Sequence, residues 1–317
     1  MACLSYAIVV KYQKRILLKR QKLHPEGPEF SKIAAGLWRM DQWGMSPQDT
    51  VAWIESALEL GISTFDHADI YGLYTNEALF GQALKIDTSL RERMELVSKC
   101  DICLVCDERP ENRINHYNTT PSHIISSVEQ SLKHLKTDYL DLVLLHRPDP
   151  LMDADATANA FNTLMKDGKI QHIGVSNFSP SQFDLLQSRL NAPIVTNQVE
   201  CSLHHITPIF DGTFDQAQEY RASPMFWSPF SGGKLFSGDD EQSRRIHSVL
   251  EPMRKKYSAS TAQIALAWLM QLPCNGVPIM GTGKTDRLKE AAEATAIQLE
   301  RQDWFSLLVA SQGHPVP

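Results

Sequence analysis

The sequence predicts an α/β protein with a single (β/α)8 TIM barrel, because short apolar runs alternate with longer amphipathic segments along most of the chain. Such alternation is typical of parallel strands joined by crossover helices. An open doubly wound sheet is the alternative, but no G-x-G-x-x-G turn follows the first strand. The apolar runs number eight, the strand count of a closed barrel: KIAAGLW, STFDHA, ELVSKC, LDLVLLH, IQHIGVS, IVTNQVE, MFWSPF and GVPIMG.

Helix boundaries between the apolar runs are marked by local signals. Ser46 followed by Pro47, and Ser179 followed by Pro180, are typical of helix starts. Gly61 stands just past the end of the first predicted helix, where a left-handed residue is favoured. These signals support the alternation of strands and helices.

Composition and charge limit the function classes. The net charge of -6 at pH 7 argues against a nucleic-acid partner. No apolar run approaches the roughly 20 residues of a membrane span, and the basic residues near the start follow an apolar stretch, the reverse of a secretory signal. We therefore expect a cytoplasmic protein whose oligomeric state the sequence does not indicate.

No linker divides the chain, so its domain organisation is simple. No segment rich in proline and glycine interrupts the sequence, and no low-complexity stretch occurs. We expect one barrel domain over residues 25–317, preceded by a poorly informative N-terminal leader over residues 1–24.

The stretch LVSKCDICLVC places Cys100, Cys103 and Cys106 three residues apart, a spacing that can serve an iron–sulfur cluster. On a strand, however, Cys100 and Cys103 point to opposite faces. A fourth ligand is also needed, and Cys201 and Cys274 fall in unrelated elements. The run is better interpreted as small buried thiols, and no metal site is predicted.

Ionisable residues follow three consecutive apolar runs. Asp66 ends the second run, Lys99 the third and His146 the fourth, and Tyr71 comes shortly after Asp66. One such residue alone is typical of a turn, a solvated side chain or the margin of a core. Because active sites of barrels lie at the carboxyl ends of the strands, the set together predicts a site there.

Six motifs in this order resemble the aldo-keto reductases: FDHADIYG, LVSKC, LLHRPD, GVSNFS, NQVE and WSPFSGGKL. The similarity runs from about PEFSKIAAGLWRM to the end of the chain and is strongest to the bacterial oxidoreductase branch of uncertain substrate. It implies a barrel that reduces a small-molecule carbonyl, an aldehyde or ketone, with hydride from NADPH and no metal.

The resemblance also assigns a catalytic tetrad. Tyr71 would donate a proton to the carbonyl oxygen, although free tyrosine, with a pKa near 10, is a poor acid. Lys99 would lower that pKa and stabilise the phenolate, and Asp66 would hold Lys99 charged and in place. His146 would orient the substrate oxygen.

The inner half of the cofactor site is implied in the same way. Ser176, Asn177 and Gln198 match positions that grip the nicotinamide carboxamide. Trp227 either stacks on the nicotinamide, where many relatives have tyrosine, or is a core aromatic residue.

The outer half of the cofactor site would hold the phosphates and the adenosine. The loop SPFSGGKLFSG, with Ser228, Gly233 and Leu235, would approach the pyrophosphate, or is an unstructured surface loop. The segment MGTGKTDRLKEAAEA would bind the adenosine, and its residues at the start of a predicted helix favour NADPH over NADH through the 2′-phosphate: Thr282, Lys284 and Arg287. Ala291 stands where many relatives have an asparagine, which leaves the adenine contact open.

Substrate identity is not encoded in any motif. The polar segment 107–122 and five residues are expected near the pocket: Trp38, Arg39, Trp43, Tyr74 and Arg147.

Two other functions are possible. The first is an NADPH-binding regulator that senses redox state with little turnover, and the second is a metal-dependent hydrolase. The complete tetrad favours the reductase.

Overall fold

A computed structural model describes residues 18–317. The strands in chain order are β1 (Arg20–Lys22), β2 (Glu29–Ser31), β3 (Ala34–Gly36), β4 (Thr64–Asp66), β5 (Glu95–Cys100), β6 (Ile102–Cys103), β7 (His116–Tyr117), β8 (Leu140–Leu145), β9 (Ile170–Ser176), β10 (Ile194–Glu200), β11 (Met225–Trp227) and β12 (Val277–Met280). Eight of them are parallel and close into a barrel, in the order β10-β11-β12-β3-β4-β5-β8-β9, which confirms the predicted (β/α)8 architecture.

Helices surround the barrel and begin where the sequence signals place them. Ser46 caps the first helix by accepting a hydrogen bond from Asp49 N at 3.1 Å, and Ser179 caps the fifth in the same way. The helices are α1 (Pro47–Glu59), α2 (Asn76–Ile86), α3 (Pro121–Leu135), α4 (Ala154–Lys166), α5 (Pro180–Gln187), α6 (Thr213–Tyr220), α7 (Lys234–Ser237), α8 (Glu241–Tyr257), α9 (Thr261–Met270), α10 (Thr285–Ala294) and α11 (Arg301–Gln312).

A hairpin precedes the barrel. Strands β1 and β2 pair antiparallel, and Leu23 and Phe30 are buried in one cluster with apolar residues of the barrel strands. The boundary expected between residues 24 and 25 falls inside this hairpin. Residues 1–17 of the predicted leader lie outside the described residues.

The barrel interior is packed with side chains, so the interior is not a channel. Val97, Leu142, Leu144 and Val195 are fully buried in it and come from three strands. Filling the interior in this way is usual for the fold and leaves the carboxyl ends of the strands as the place for chemistry.

The segment after β5 contains more regular structure than expected. Part of the polar stretch 107–122 forms β7, which pairs antiparallel with β6 outside the barrel. Strands of two residues carry no periodic signal, which is why the sequence predicts only a loop.

The cysteine run lies along these same elements. Cys100, Cys103, Cys106, Cys201 and Cys274 are all free thiols. Over residues 18–317, no group of three or more histidine, cysteine or acidic side chains is placed to hold a metal ion. No helix in that range is both long and apolar enough to cross a membrane.

Candidate active site

The ionisable residues predicted at the strand ends come together at one end of the barrel. Asp66 is the last residue of β4, Lys99 the penultimate residue of β5, and His146 follows β8 directly. Tyr71 lies in the loop after β4. Because β4, β5 and β8 are neighbours in a parallel barrel, their carboxyl ends open onto the same face.

The ammonium group of Lys99 organises this cluster. Its Nζ donates to Asp66 Oδ2 at 2.8 Å, to the backbone oxygen of His67 at 2.6 Å and to Tyr71 Oη at 3.1 Å. Only 1% of Lys99 and 2% of Asp66 are exposed. Lys99 therefore uses all three of its donors, and since it donates to Tyr71 Oη, the hydroxyl proton of Tyr71 remains free to be given to another acceptor.

Electrostatics keep Lys99 charged. Burial lowers the pKa of Lys99, but the carboxylate of Asp66 and the oxygen of Tyr71 together raise it by more than burial lowers it. The pKa of Lys99 therefore lies above its ordinary value of 10.5. A buried ammonium with a paired carboxylate is thus maintained at neutral pH.

Burial raises the pKa of Tyr71 above its ordinary value of 10.0, and it outweighs the opposing effect of Lys99. The sequence leads to the opposite expectation, because a neighbouring ammonium alone would lower this pKa. The phenol consequently retains its proton at neutral pH. Lys99 then stabilises a phenolate only when one forms.

His146 packs its ring edge-on to Tyr71, with the ring centroids 5.9 Å apart. Burial, Lys99 and Arg147 together lower the pKa of His146 well below its ordinary value of 6.5. The imidazole is therefore neutral, and a neutral imidazole can donate from one nitrogen and accept at the other.

A second hydrogen-bond network continues from the cluster to the next strands. Gln198 Nε2 donates to Asp66 Oδ1 at 2.8 Å, and the backbone oxygen of Gln198 accepts from Ser176 Oγ at 2.8 Å. Asn177 Nδ2 donates to Ser176 Oγ at 2.8 Å, and Asn177 Oδ1 accepts from Trp227 Nε1 at 3.1 Å. The predicted carboxamide-binding residues thus form one connected set with the tetrad.

A cavity of about 1030 Å³ extends from the tetrad to helix α10. This volume is at the upper end of the range of roughly 300–1,000 Å³ for ligand pockets. Most of the predicted site residues line it: Asp66, Tyr71, His146, Ser176, Asn177, Gln198, Trp227, Ser228, Gly233, Thr282 and Arg287.

Three predicted site residues do not line the cavity. Lys99 lies below it and reaches it through Tyr71. Leu235 is buried in the apolar core, and Lys284 is an exposed residue that precedes α10. Of the residues expected in the substrate pocket, Trp38, Arg39 and Arg147 line the cavity, whereas Trp43 and Tyr74 do not.

A family model described as the aldo/keto reductase family matches residues 32–307, most of the chain. The chain belongs to the aldo-keto reductase family. It is therefore an NAD(P)H-dependent oxidoreductase, and enzymes of this family act on small-molecule carbonyl substrates.

Individual relatives agree with this membership. The chain is 49% identical over 303 residues to oxidoreductase YdhF of Escherichia coli (strain K12), and the match covers 95% of this chain and 100% of that relative. It is 42% identical over 289 residues to a 6-dehydroglucose reductase of Agrobacterium fabrum (strain C58), and the match covers 91% of this chain and 96% of that relative.

Among solved structures, the reductase resembles the thermostable aldo-keto reductase Tm1743, crystallised with the inhibitor epalrestat. The TM-score is 0.75 at 26% identity, and the match covers 93% of this chain and 99% of that one. The barrel fold is thus shared with a family member of known structure.

The loop after β11 has open space beside its backbone. Gly232 and Gly233 have φ values of 65° and 105°, in the left-handed region, and a Cβ at either position would have no atom within 4 Å. The two glycines therefore leave open space beside the backbone where it borders the cavity. A short 3-10 turn over Ser231–Gly233 and helix α7 order this loop, so it is not an unstructured surface loop.

The outer end of the cavity contains residues that no motif in the sequence indicates. Ser260 and Thr261 at the start of α9 line it, as does Arg254 on α8. Ser260 forms a capping box with Gln263, a helix-start signal that is readable in the sequence. Its position beside the cavity depends on the packing of α9 against α10, which no local pattern indicates.

Proposed function

We propose that this reductase uses NADPH to convert an aldehyde or ketone to the alcohol, with Tyr71 as the proton donor. The observation that carries the proposal is the contact of Lys99 Nζ with both Asp66 Oδ2 and Tyr71 Oη, at 2.8 and 3.1 Å. A protonated phenol beside a fixed ammonium can give up its proton where a substrate oxygen gains negative charge. When bound, the nicotinamide cofactor would supply the hydride to the carbonyl carbon.

The residues around Tyr71 divide the remaining tasks. His146, neutral and next to the Tyr71 ring, would donate a hydrogen bond to the substrate oxygen and orient it. Lys99 would stabilise the phenolate left after proton transfer, and Asp66 would hold Lys99 in position. Tyr71 must then recover a proton before the next turnover.

The cavity offers separate groups to each part of a dinucleotide. Ser176, Asn177 and Gln198 present hydroxyl and amide groups for the nicotinamide carboxamide. Ser228 and the backbone as far as Gly233 would adjoin the pyrophosphate. Thr282 and Arg287 line the cavity at the start of α10, where the helix N-terminus and the guanidinium would favour a 2′-phosphate, and Lys284 lies outside the cavity just before the helix.

The experiment that tests this function is an absorbance assay at the reduced-nicotinamide band with NADPH, NADH and a panel of aldehydes and ketones. A sugar carbonyl belongs in the panel because one relative is named a 6-dehydroglucose reductase. We expect substrate-dependent oxidation of NADPH. Binding of NADPH without turnover of any carbonyl would contradict the proposal and favour the redox-sensing regulator.

Cofactor preference is tested by Arg287→Ala. Arg287 is exposed at the cavity edge and has no acidic partner among residues 18–317. Losing a charge-assisted hydrogen bond to phosphate should weaken NADPH binding about 10- to 100-fold and leave NADH binding unchanged.

Fluorescence titration of both cofactors measures this difference in affinity. Lys289→Ala is the matched control, because Lys289 is an exposed cation of the same helix that does not line the cavity. Equal weakening of NADPH binding and NADH binding by Arg287→Ala would show that Arg287 does not recognise the 2′-phosphate.

Cytoplasmic location and absence of a nucleic-acid partner stay predictions.

A further inference from the structure

Arg147 places a positive charge at the reacting end of the cavity. It follows His146 directly and lines the cavity, and its guanidinium carbon lies 5.8 Å from the ring centroid of Trp227. Arg147 also lowers the pKa of His146 and of Tyr71, by less than Lys99 does. The guanidinium is thus close enough for its charge to be felt by both residues.

The guanidinium of Arg147 makes no hydrogen bond or ion pair with any residue in the described range 18–317. Nearby carboxylates are engaged elsewhere. Asp101 Oδ2 accepts from the backbone nitrogen of Arg147 at 3.2 Å, and Asp149 accepts from Thr119 and from the backbone nitrogen of Leu151. Asp66, the acidic residue of the tetrad, is neutralised by Lys99.

Arg147 is half-buried, and its charge, which no residue pairs, is available to a ligand that brings a counter-charge. In the proposed cofactor site, the anionic groups of a dinucleotide would lie elsewhere in the cavity, at the glycines after β11 and at Arg287 on α10. Arg147 instead stands with Tyr71 and His146, where a carbonyl substrate would react. A substrate is thus the ligand that would bring a counter-charge to Arg147.

We propose that Arg147 selects carbonyl substrates that carry a carboxylate, which its planar fork of donors would bind while the carbonyl oxygen meets Tyr71 and His146. This inference rests on the proposed reductase function. Trp227 supports Arg147 from one side, and its indole is itself fixed by Asn177.

A second unpaired arginine reinforces the same preference. Arg39 lines the cavity beside Trp38, with its guanidinium carbon 4.8 Å from the Trp38 ring centroid, and has no acidic partner in the described part of the chain. Arg39 is more exposed than Arg147, so its charge is more strongly screened. It would attract an anionic substrate to the opening rather than fix its position.

The test compares substrates that differ in charge but hardly in shape. The first pair is 4-formylbenzoate and 4-formylbenzamide, and the second is glucuronate and glucose. We expect kcat/KM to favour the carboxylated member of each pair. Arg147→Gln should lower this preference about 10- to 100-fold, chiefly through KM, whereas Arg147→Lys, which keeps the charge but loses the planar fork of donors, should retain only part of it.

Two controls make the result specific. Arg109→Gln removes another arginine that lies over an aromatic ring, that of Tyr74, but does not line the cavity, so it should leave the preference unchanged. The ratio between paired substrates is insensitive to a general loss of activity. NADPH affinity should be unchanged in Arg147→Gln, and a weaker affinity would assign the guanidinium to the cofactor and overturn the inference.

Binding provides a readout that does not need turnover. Calorimetric titration of NADP+-loaded protein with 4-formylbenzoate and its amide, a pairing in which the oxidised cofactor has no hydride to give, should show tighter binding of the carboxylate in the wild type only. Equal binding or equal kcat/KM within each pair would overturn the role of Arg147 while leaving the reductase function intact. Absence of turnover with every carbonyl, together with selective binding of the carboxylate, would instead count against the reductase function alone.

Discussion

Replacing Tyr71 by phenylalanine is expected to lower kcat for carbonyl reduction by about 10²- to 10⁴-fold, the usual contribution of a positioned general acid. The substitution removes only the hydroxyl group that accepts a hydrogen bond from Lys99. The ring remains to pack against His146, and the residues proposed to hold the cofactor are not altered. NADPH affinity should therefore be unchanged.

Steady-state kinetics and a cofactor titration on the same preparation separate these two effects. Tyr74→Phe is a matched control: it removes a tyrosine hydroxyl three residues along, one that accepts from Leu104 N at 2.9 Å outside the cavity. Full turnover in Tyr71→Phe would show that another group supplies the proton and that the tetrad has been assigned wrongly.

Replacing Asp66 by asparagine should lower both activity and stability. Lys99 is almost completely buried, and Asp66 provides the carboxylate that compensates its charge. Breaking a buried pair by removing one charge typically costs about 3–5 kcal/mol, because the other charge is left without compensation. Urea denaturation of the wild type and of Asp66→Asn measures this loss in the free energy of unfolding.

The double variant Asp66→Asn with Lys99→Met distinguishes charge pairing from loss of shape. Removing both charges should recover much of the stability lost in Asp66→Asn and recover none of the activity. The single variant Lys99→Met completes the comparison. If the double variant lost as much stability as Asp66→Asn and Lys99→Met together, the two charges would not be coupled in the folded protein.

The barrel and the tetrad could be predicted because their signals are local. An apolar run followed by one ionisable residue identifies both a strand and the end of that strand, as with β4 and Asp66 or β5 and Lys99. Once the strands are known to be parallel, their ends must share one face, and no further contact has to be known.

The remaining features depend on contacts between distant segments. The sequence predicts the sign of the effect of Lys99 on the pKa of Tyr71, but not that burial would outweigh it. It also does not indicate that Arg254 and Ser260 would border the outer end of the cavity. The hydrogen bond from Gln198 to Asp66 is likewise a product of tertiary structure.

That last hydrogen bond has a consequence for folding. It joins β10 to β4, which are four places apart in the ring of eight strands and whose bonded residues are 132 positions apart in sequence. A chain that has formed β3 to β5 already contains Asp66, Lys99 and Tyr71, but its aspartate lacks one of its two partners. The chemistry is therefore complete only after the ring has closed, a long-range event that is slow compared with helix formation. During refolding, helical content should return first, and enzyme activity should report the closure of the barrel.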